Sequence, residues 1–324
     1  MIANSNSTIA PEVLATFHQR RNAGESLQVL AKEAGMTWQR LWVLMVSTQP
    51  KEMLPAVAGI TSEIKTVSLT DRTHRQFKEV LGLVSEGHAN IMLVGPAGTG
   101  KTTLVKHVAK ALERSFAFIS LSAGVTETHI FGRMLPQADG SWAYVESPFI
   151  RIYRNGGVFL FDEVDAADGN VMVSVNAALA NGMLCNPVTG EVIERHVDTI
   201  IVTAGNTYGR GGDMVYVGRN ALDGATTDRF VLSKLFVSYD TELEYDMLKA
   251  SLSQSDVDQV FDWVRELRIK IADYRLRRIA STRLIEQAAK AMKAGKTLDD
   301  VKARYFQDWT RDEIAKVGEA VQYA

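Results

Sequence analysis

The chain has 324 residues, and 46% of them are apolar, which is enough for the cores of two domains or of three small ones. The formal net charge of −2 excludes an overall attraction to nucleic acid or to an anionic membrane. The single cysteine, Cys185, excludes an internal disulfide and suits a reducing compartment. Since no apolar run reaches spanning length and residues 1–7 lack a signal-peptide pattern, we expect a cytoplasmic protein without membrane contact.

Residues 1–50 predict a small helical module that resembles a helix-turn-helix unit. Ala31 is a small residue inside the first helix of the pattern, Gly35 stands at the turn, and Thr37 is placed to cap the second helix. Two roles fit this pattern, docking on protein and binding duplex DNA.

The second helix of this module, residues 38–45, helps to choose between the two roles. It is mostly apolar, and only Gln39 and Arg40 could reach base edges. The charge of the segment is nearly balanced, which is a poor electrostatic footprint for DNA. We therefore favour a module that docks on protein and keep DNA binding as the alternative.

The stretch from Gly95 to Thr102 fits the phosphate-loop (Walker A) pattern G-x-x-x-x-G-K-[ST]. The apolar residues 91–94 before it predict a buried strand, and a helical pattern follows it. Glycines let successive backbone N–H groups point at one anion, and the helix adds its positive N-terminal end. Lys101 can reach the β- and γ-phosphates, and the Thr102 hydroxyl can ligate Mg²⁺. The predicted nucleotide-binding residues here are Gly95, Pro96, Ala97, Gly98, Thr99, Gly100, Lys101, Thr102 and Thr103.

Two adjacent carboxylates, Asp162 and Glu163, directly follow the apolar residues 158–161, which predict a buried strand. The strand delivers Asp162 to the edge of the sheet, where it can hold Mg²⁺. Glu163 can polarise the attacking water as a general base. Because the pair lies downstream of a phosphate loop, we interpret it as a second nucleotide motif rather than as an acidic strand end on the surface.

Three further polar residues are candidates for the same site. Asn206 follows a predicted buried strand, residues 199–203, and could position the attacking water against the γ-phosphate. Arg229 is a candidate arginine finger that would enter the site of a neighbouring subunit. Arg283 lies in the first turn of a helix that Ser281 is placed to cap, where a cation opposes the helix dipole and suggests a phosphate contact. Each also fits a structural role: a turn cap, a surface ion pair and a solvated arginine.

The rest of the pattern sets the surroundings of these motifs. Residues 123–147 predict a surface hairpin, residues 187–190 predict a hairpin turn, and the glycine-rich residues 207–227 predict a mobile segment. From residue 240 onward the pattern is helical and predicts a small all-α domain. Predicted helices cover residues 70–84, 169–182, 242–252, 256–272, 281–294, 298–307 and 311–322.

The phosphate loop, the acidic pair, Asn206, Arg229 and Arg283 follow one another in an order that resembles AAA+ ATPases, specifically the MoxR group. The passage from residue 206 to residue 230 is most similar to the CobS subunit of cobaltochelatase and to CobS-like ATPases of bacteria and phages. The resemblance covers about residues 70–295 and leaves the N-terminal module outside, so it does not imply chelatase activity.

This resemblance implies an α/β fold in which a five-stranded αβα nucleotide domain carries a C-terminal all-α lid. It also implies ATP and Mg²⁺ as cofactors and a ring that usually has six subunits. Members commonly act on a partner with a von Willebrand factor A domain, and residues 123–147 stand where the group carries an insert that faces the partner. Carried over by position, Thr102 and Asp162 hold the metal, Glu163 is the catalytic base, Asn206 is sensor 1, Arg229 is the finger acting in trans, and Arg283 is sensor 2.

We therefore expect four segments: a helix-turn-helix-like module at residues 1–50, a linker at 51–69, an AAA+ domain at 70–239 and a helical lid at 240–324. The expected activity is Mg²⁺-dependent ATP hydrolysis in a homo-hexameric ring that remodels a protein partner. The alternative is a DNA-associated ATPase whose N-terminal module binds the duplex.

Overall fold

The computed structural model describes most of the chain, namely residues 11–22, 25–36, 41 and 72–319. The predicted linker and, apart from Leu41, the predicted second helix of the N-terminal module lie outside the described residues, with Thr37, Gln39 and Arg40. Within the described part, no helix is both long enough and apolar enough to cross a membrane.

The described residues contain nine strands and thirteen α-helices. The strands are β1 (Asn90–Val94), β2 (Phe116–Ser120), β3 (Arg133–Pro136), β4 (Trp142–Val145), β5 (Gly157–Asp162), β6 (Met183–Cys185), β7 (Val192–Glu194), β8 (Thr199–Gly205) and β9 (Lys234–Phe236). The helices are α1 (Pro11–Asn22), α2 (Leu27–Glu33), α3 (Phe77–Ser85), α4 (Lys101–Ala111), α5 (Glu127–Phe131), α6 (Pro148–Asn155), α7 (Gly169–Asn181), α8 (Gly224–Asp228), α9 (Thr241–Lys249), α10 (Gln254–Asp273), α11 (Thr282–Lys293), α12 (Leu298–Tyr305) and α13 (Arg311–Lys316).

A five-stranded parallel sheet with the strand order β2-β5-β8-β1-β9 forms the centre of the nucleotide domain. The three central strands are almost wholly buried, because helices cover both faces of the sheet. This burial explains why those strands are continuous apolar runs in the sequence. The fifth strand, β9, is three residues long with one buried side chain, and the sequence pattern did not predict it.

Two hydrophobic clusters lie on opposite faces of this sheet. On one face, Val80 of α3 and Leu104 of α4 pack with the buried residues of β1 and β8. On the other face, Phe149 of α6 contacts Phe159 and Phe161 of β5, with ring centroids 5.1 Å apart in both pairs. The predicted α/β fold with helices on both sides of a parallel sheet is therefore confirmed.

Two antiparallel hairpins extend from this core. β3 pairs with β4 inside the predicted surface hairpin, and β6 pairs with β7 around the predicted turn at residues 187–190. The prediction missed the short helix α5, which precedes β3 and begins after Thr126. Trp142 on the first hairpin has 64% of its surface exposed, which is unusual for so large an apolar side chain.

Helices α9–α13 form the predicted all-α lid around a core that includes Trp263, Ile285 and Phe306. The last helix ends at Lys316 rather than at residue 322, because Gly318 turns the chain with a φ of +70°.

The helix predicted at residues 70–84 begins only at Phe77. The residues just before it bond to the start of the lid instead of continuing a helix. His74 Nε2 lies 3.1 Å from the Ser238 carbonyl oxygen, and the Arg75 amide donates to Asp240 Oδ2 at 2.7 Å. Tertiary contacts thus replace the first turn that the pattern predicted.

The N-terminal module contacts the edge of the sheet opposite the phosphate loop. Arg21 of α1 pairs with Asp198 Oδ2 at 3.1 Å, and Arg114 pairs with the other oxygen of the same carboxylate at 2.8 Å. Asp198 immediately precedes β8, so it lies at the amino-terminal edge of the parallel sheet. The described part of the module is therefore distant from the carboxyl ends of the strands, where the candidate site residues lie.

Candidate functional site

The phosphate loop connects β1 to α4, and its backbone is one that glycine favours. Gly98 and Gly100 have φ angles of +74° and +87°, in the left-handed region, and Gly100 is the N-cap of α4. At Gly95 a Cβ would lie 2.0 Å from the Val237 carbonyl oxygen, so the loop can begin there only with glycine. The sequence pattern therefore reflects both the curl of the loop and its close approach to the end of β9.

Lys101 is a buried cation at the centre of the loop. Its Nζ donates to the carbonyl oxygens of Gly95 at 2.7 Å and Pro96 at 2.9 Å, and to Asn206 Oδ1 at 3.1 Å. Burial lowers the pKa of its ammonium group to about 8. The lysine thus joins the phosphate loop to the end of β8, and a bound phosphate would compete with the same acceptors for its protons.

A hydroxyl and a carboxylate lie together beside this lysine. Thr102 Oγ1 donates to Asp162 Oδ2 at 2.7 Å, and the Glu163 amide donates to Asp162 Oδ1 at 2.9 Å. Mg²⁺ prefers oxygen ligands of these two kinds together with phosphate oxygens and water. The donor set of Thr102 and Asp162 therefore fits the metal that the sequence predicts.

Glu163 has a backbone conformation that is rare for a residue other than glycine. Its φ of +55° lies in the left-handed region, immediately after the last residue of β5. This turn directs the chain into a short 3₁₀ helix, Val164–Ala166, and leaves the Glu163 side chain 47% exposed at the site. The carboxylate is thus accessible to water, as a general base must be.

Most of the predicted residues meet in one cavity of about 440 Å³ between the nucleotide domain and the lid. Residues 97–103, Asp162, Glu163, Asn206 and Arg283 line it. The volume lies within the range of about 300–1,000 Å³ that is usual for small-ligand sites. The sequence did not predict several residues that also line this cavity: Arg72, His74, Leu243, Glu244, Met247 and Glu286.

The remaining predicted residues lie elsewhere. Gly95 and Pro96 take part through their carbonyl oxygens, which accept from Lys101. Arg229 is the exposed C-cap of α8 and does not line this cavity among the described residues. Its expected action on a neighbouring subunit therefore stays a prediction.

Two residues that sequence reasoning missed, Asp165 and Arg219, support the acidic end of the site. Asp165 is fully buried, and its Oδ2 accepts from the amides of Asn206 at 3.0 Å and Thr207 at 2.9 Å. Arg219 Nη1 lies 3.3 Å from Asp165 Oδ1 and 3.7 Å from Glu163 Oε2. The position of Asp165 two residues after Glu163 was a usable signal, but nothing in the glycine-rich passage marked Arg219.

Two tyrosines hold the phosphate loop at Ala97. The Ala97 amide donates to the Tyr216 hydroxyl at 2.8 Å, and the Tyr239 hydroxyl donates to the Ala97 carbonyl oxygen at 3.2 Å. Burial raises the pKa of Tyr239 to about 12, so the phenol remains a donor at neutral pH. The Arg268 guanidinium of α10 lies 3.9 Å from the centre of the Tyr239 ring. This contact connects the tyrosine that bonds to Ala97 with the lid.

The lid also contacts the loop directly. Ser281 occupies the N-cap position of α11 as predicted, but its side chain makes no capping hydrogen bond. It packs instead against Gly98, where an added Cβ would lie 2.6 Å from the Ser281 Cβ. In the same turn, Thr282 Oγ1 donates to the buried carboxylate of Glu244, which also accepts two bonds from Arg268 at 2.7 and 2.8 Å.

A comparison with protein families agrees with this fold and site. Residues 90–230 match the model of the AAA domain (dynein-related subfamily), a little under half of the chain. The match confirms the expected AAA domain over these residues and supports ATPase activity at the level of the family.

Comparison with individual proteins gives the following relatives. The denitrification regulatory protein NirQ of Stutzerimonas stutzeri is 27% identical over 64% of this chain and 73% of its own length. The protein NorQ of Paracoccus denitrificans is 29% identical over 70% of this chain and 83% of its own length. A solved structure from Cytophaga hutchinsonii superposes on 73% of this chain and 81% of that chain, with a TM-score of 0.45 and 18% identity.

Because burial lowers the pKa of Lys101, we predict that the affinity for ATP depends on pH. Below its pKa of about 8 the free site already carries the ammonium charge that binds phosphate, so affinity should be constant there. Above this pKa the free lysine is neutral and binding must take up a proton. The dissociation constant for ATP should then rise by up to about tenfold per pH unit, measured by isothermal titration between about pH 7 and pH 9.5.

Lys101→Arg is the matched control, because a guanidinium stays charged across this range. Its ATP affinity, whatever its absolute value, should not change with pH. If the wild-type affinity is equally constant up to about pH 9.5, the free Lys101 stays charged over this range and the expected lowering of its pKa is wrong.

Proposed function

We propose that the protein is a Mg²⁺-dependent ATPase of the AAA+ class, related to the MoxR group, that couples hydrolysis in a ring to the remodelling of a protein partner. One observation carries this proposal: Lys101, Thr102, Asp162, Glu163 and Asn206, which come from three separate strand ends, line or reach a single cavity. The cavity thereby combines hydrogen-bond donors, hydrogen-bond acceptors and a water-accessible carboxylate, which transfer of a phosphoryl group to water requires.

Each residue has a stated part in that chemistry. The amides of the phosphate loop and Lys101 bind the phosphates of ATP, and Glu163 accepts the proton of the attacking water. Asn206, whose own amide is fixed by Asp165, orients that water. Thr102 and Asp162 hold Mg²⁺, which when bound neutralises charge on the β- and γ-phosphate oxygens. Arg283 contacts the phosphates from the lid.

We further propose that the site is completed by a neighbouring subunit in a homo-hexamer. Arg229 is exposed and lies outside the cavity of its own chain. Beside it, Val231 and Leu232 are 68% and 77% exposed, so an apolar surface surrounds this arginine. Exposed apolar surface of this kind is typical of a protein interface. Arg229 of one subunit then stabilises the transition-state charge in the next.

We propose a protein rather than DNA as the object of the motor. The relative NirQ is a denitrification regulatory protein, and exposed Trp142 and Met134 on the first hairpin provide an apolar contact surface for a partner. As a CobS-like ATPase, the protein would act in the cytoplasm on a partner that has a von Willebrand factor A domain. Within the chain, we propose that the lid begins at residue 240, where the Asp240 side chain caps α9.

Glu163→Gln tests the hydrolytic role. The amide keeps the shape of the side chain but cannot take a proton, so turnover should fall at least ~100-fold while ATP affinity stays within a few-fold of wild type. Turnover is measured as phosphate release and affinity by titration. Glu86→Gln, on an exposed side chain outside the cavity, should leave both unchanged. Near-normal turnover in Glu163→Gln would remove Glu163 as the base.

Arg229→Ala tests the shared site. ATP binding should persist and turnover should fall by about 10³-fold or more, the range of arginine fingers. Mixing these subunits with inactive Lys101→Ala subunits should restore part of the activity, because the second kind still supplies an intact Arg229. Arg265→Ala, which removes an exposed arginine of the lid, is the control. If mixing restores nothing, the proposal that Arg229 acts in trans is wrong.

Capture from an extract of the native host tests the kind of partner. Glu163→Gln with ATP is the bait, Lys101→Ala is the matched bait without nucleotide, and each capture is run both with and without nuclease. A protein retained only by the first bait, and lost from it when Trp142→Ala is added, would identify the remodelled partner. Recovery of DNA from untreated samples, with no protein retained after nuclease treatment, would contradict the proposal and favour a DNA-associated ATPase.

A further inference from the structure

One guanidinium joins two carboxylates next to the proposed water-activating residue. Arg219 has only 15% of its side chain exposed, and its Nη1 lies 3.3 Å from Asp165 Oδ1 and 3.7 Å from Glu163 Oε2. It is not among the residues that line the ATP cavity. It therefore reaches Glu163 from outside the space that a nucleotide would occupy.

Asp165 fixes the other end of this arrangement. It is fully buried, and its Oδ2 accepts from the Asn206 amide, the Thr207 amide and the Thr207 hydroxyl at 2.9 to 3.0 Å. Among the residues that the structure describes, its Oδ1 has no hydrogen-bond partner, and it lies 3.3 Å from Arg219 Nη1. A buried carboxylate is costly without a compensating charge, and Arg219 supplies that charge at 3.3 Å.

The passage that carries Arg219 is itself tied to the core on both sides. The Asn220 amide donates to the Asp165 carbonyl oxygen at 2.7 Å, and the Asn220 side chain donates to the Ala167 carbonyl oxygen at 2.9 Å. Three residues before Arg219, the Tyr216 hydroxyl accepts from the phosphate loop at Ala97. Residues 216–220, predicted to be mobile, are thus placed by bonds to both nucleotide motifs.

Glu163, in contrast, has little else to hold it. Its carboxylate makes no hydrogen bond within the described residues, and Arg219 is its ion-pair partner there. Without that cation, the carboxylate of Asp165, which Arg219 Nη1 also contacts, would be left near Glu163 with no compensating charge. Like charges at short range would turn the Glu163 side chain away from the position that Arg219 now favours.

We propose that Arg219 is a positioning residue for hydrolysis: it holds the carboxylate of Glu163 in place, and Asp165 anchors both this arginine and the backbone of Asn206. The inference rests on the proposed function, since it assigns Arg219 a role only if Glu163 is the base. It adds a residue of the same chain, from the 207–227 passage, to a site otherwise built from the strand ends, the phosphate loop and the lid.

Arg219→Ala should lower kcat for ATP by about 10- to 100-fold, because a catalytic group displaced by about 1 Å loses rate on that scale. KM for ATP should change less than about threefold, since the phosphate-binding residues are untouched. Arg219→Lys should recover part of kcat, because it restores the charge without the planar fork. Arg210→Ala is the matched control, an exposed arginine of the same passage, and should behave as wild type.

Coupling to Glu163 separates positioning from a merely structural role. In a Glu163→Gln background, adding Arg219→Ala should slow the residual single-turnover rate by less than about twofold, because the group that Arg219 holds can no longer act. A further fall of about tenfold would show that Arg219 acts through something other than Glu163 and would overturn the proposal. So would a normal kcat for Arg219→Ala itself.

The outcomes also distinguish this inference from the proposed function. Full turnover by Glu163→Gln would defeat the proposed base, whereas slow turnover by Glu163→Gln with unchanged turnover by Arg219→Ala defeats only the role of Arg219. If Arg219→Ala does not fold, Arg219→Met combined with Asp165→Asn removes both charges of the pair and keeps an oxygen for the three donors. The same loss of kcat, and the same absence of a further loss with Glu163→Gln, are expected in that pair.

Discussion

The buried charge of Lys101 is the interaction on which the arrangement of the site depends. An ammonium group removed from water is unfavourable unless oxygen atoms surround it, and here they come from Gly95, Pro96 and Asn206. Those three acceptors link the phosphate loop to the end of β8. Burial of this ammonium group away from water lowers its pKa to about 8. Phosphate oxygens would satisfy the same charge better, so binding would change the contacts of the loop and of Asn206 together.

The lid is joined to the phosphate loop by a series of contacts that share residues, so one contact cannot change without the others. Tyr239 bonds to Ala97 while its ring lies under Arg268, and Arg268 is paired with the buried carboxylate of Glu244. Breaking a buried pair of this kind costs about 3–5 kcal/mol, so the lid helices should move as one unit. Since Ser281 packs on Gly98, a rotation of that unit would shift the part of the phosphate loop that binds the phosphates. These contacts thus connect occupation of the cavity to the orientation of the lid.

Local patterns in the sequence predicted the three central strands and the two nucleotide motifs because the physics behind them is local, whereas the αβα arrangement was implied by the resemblance to AAA+ ATPases. A phosphate loop needs glycines at fixed spacing, and the acidic pair must follow a buried strand. β9 was missed because three residues with one buried side chain give no periodicity. The late start of α3 at Phe77 and the role of Arg219 were missed for a different reason. Both depend on partners more than 50 positions away in sequence, such as Asp240 and Asp165, that no local pattern brings together.

Few positive side chains of one chain lie near the phosphate loop, and this is the argument for a contribution from a second subunit. Arg219 is already engaged by the carboxylates of Asp165 and Glu163, and it does not line the cavity. Arg72 also lines the cavity but is paired with Glu242 at 2.7 Å, so Lys101 and the lid residue Arg283 provide the remaining positive side chains near the phosphate loop. Charge that develops on the γ-phosphate during transfer needs a further cation, which in this class of reaction is an arginine. An exposed arginine bordered by exposed apolar residues, as at Arg229, is suited to supply it across an interface that excludes water.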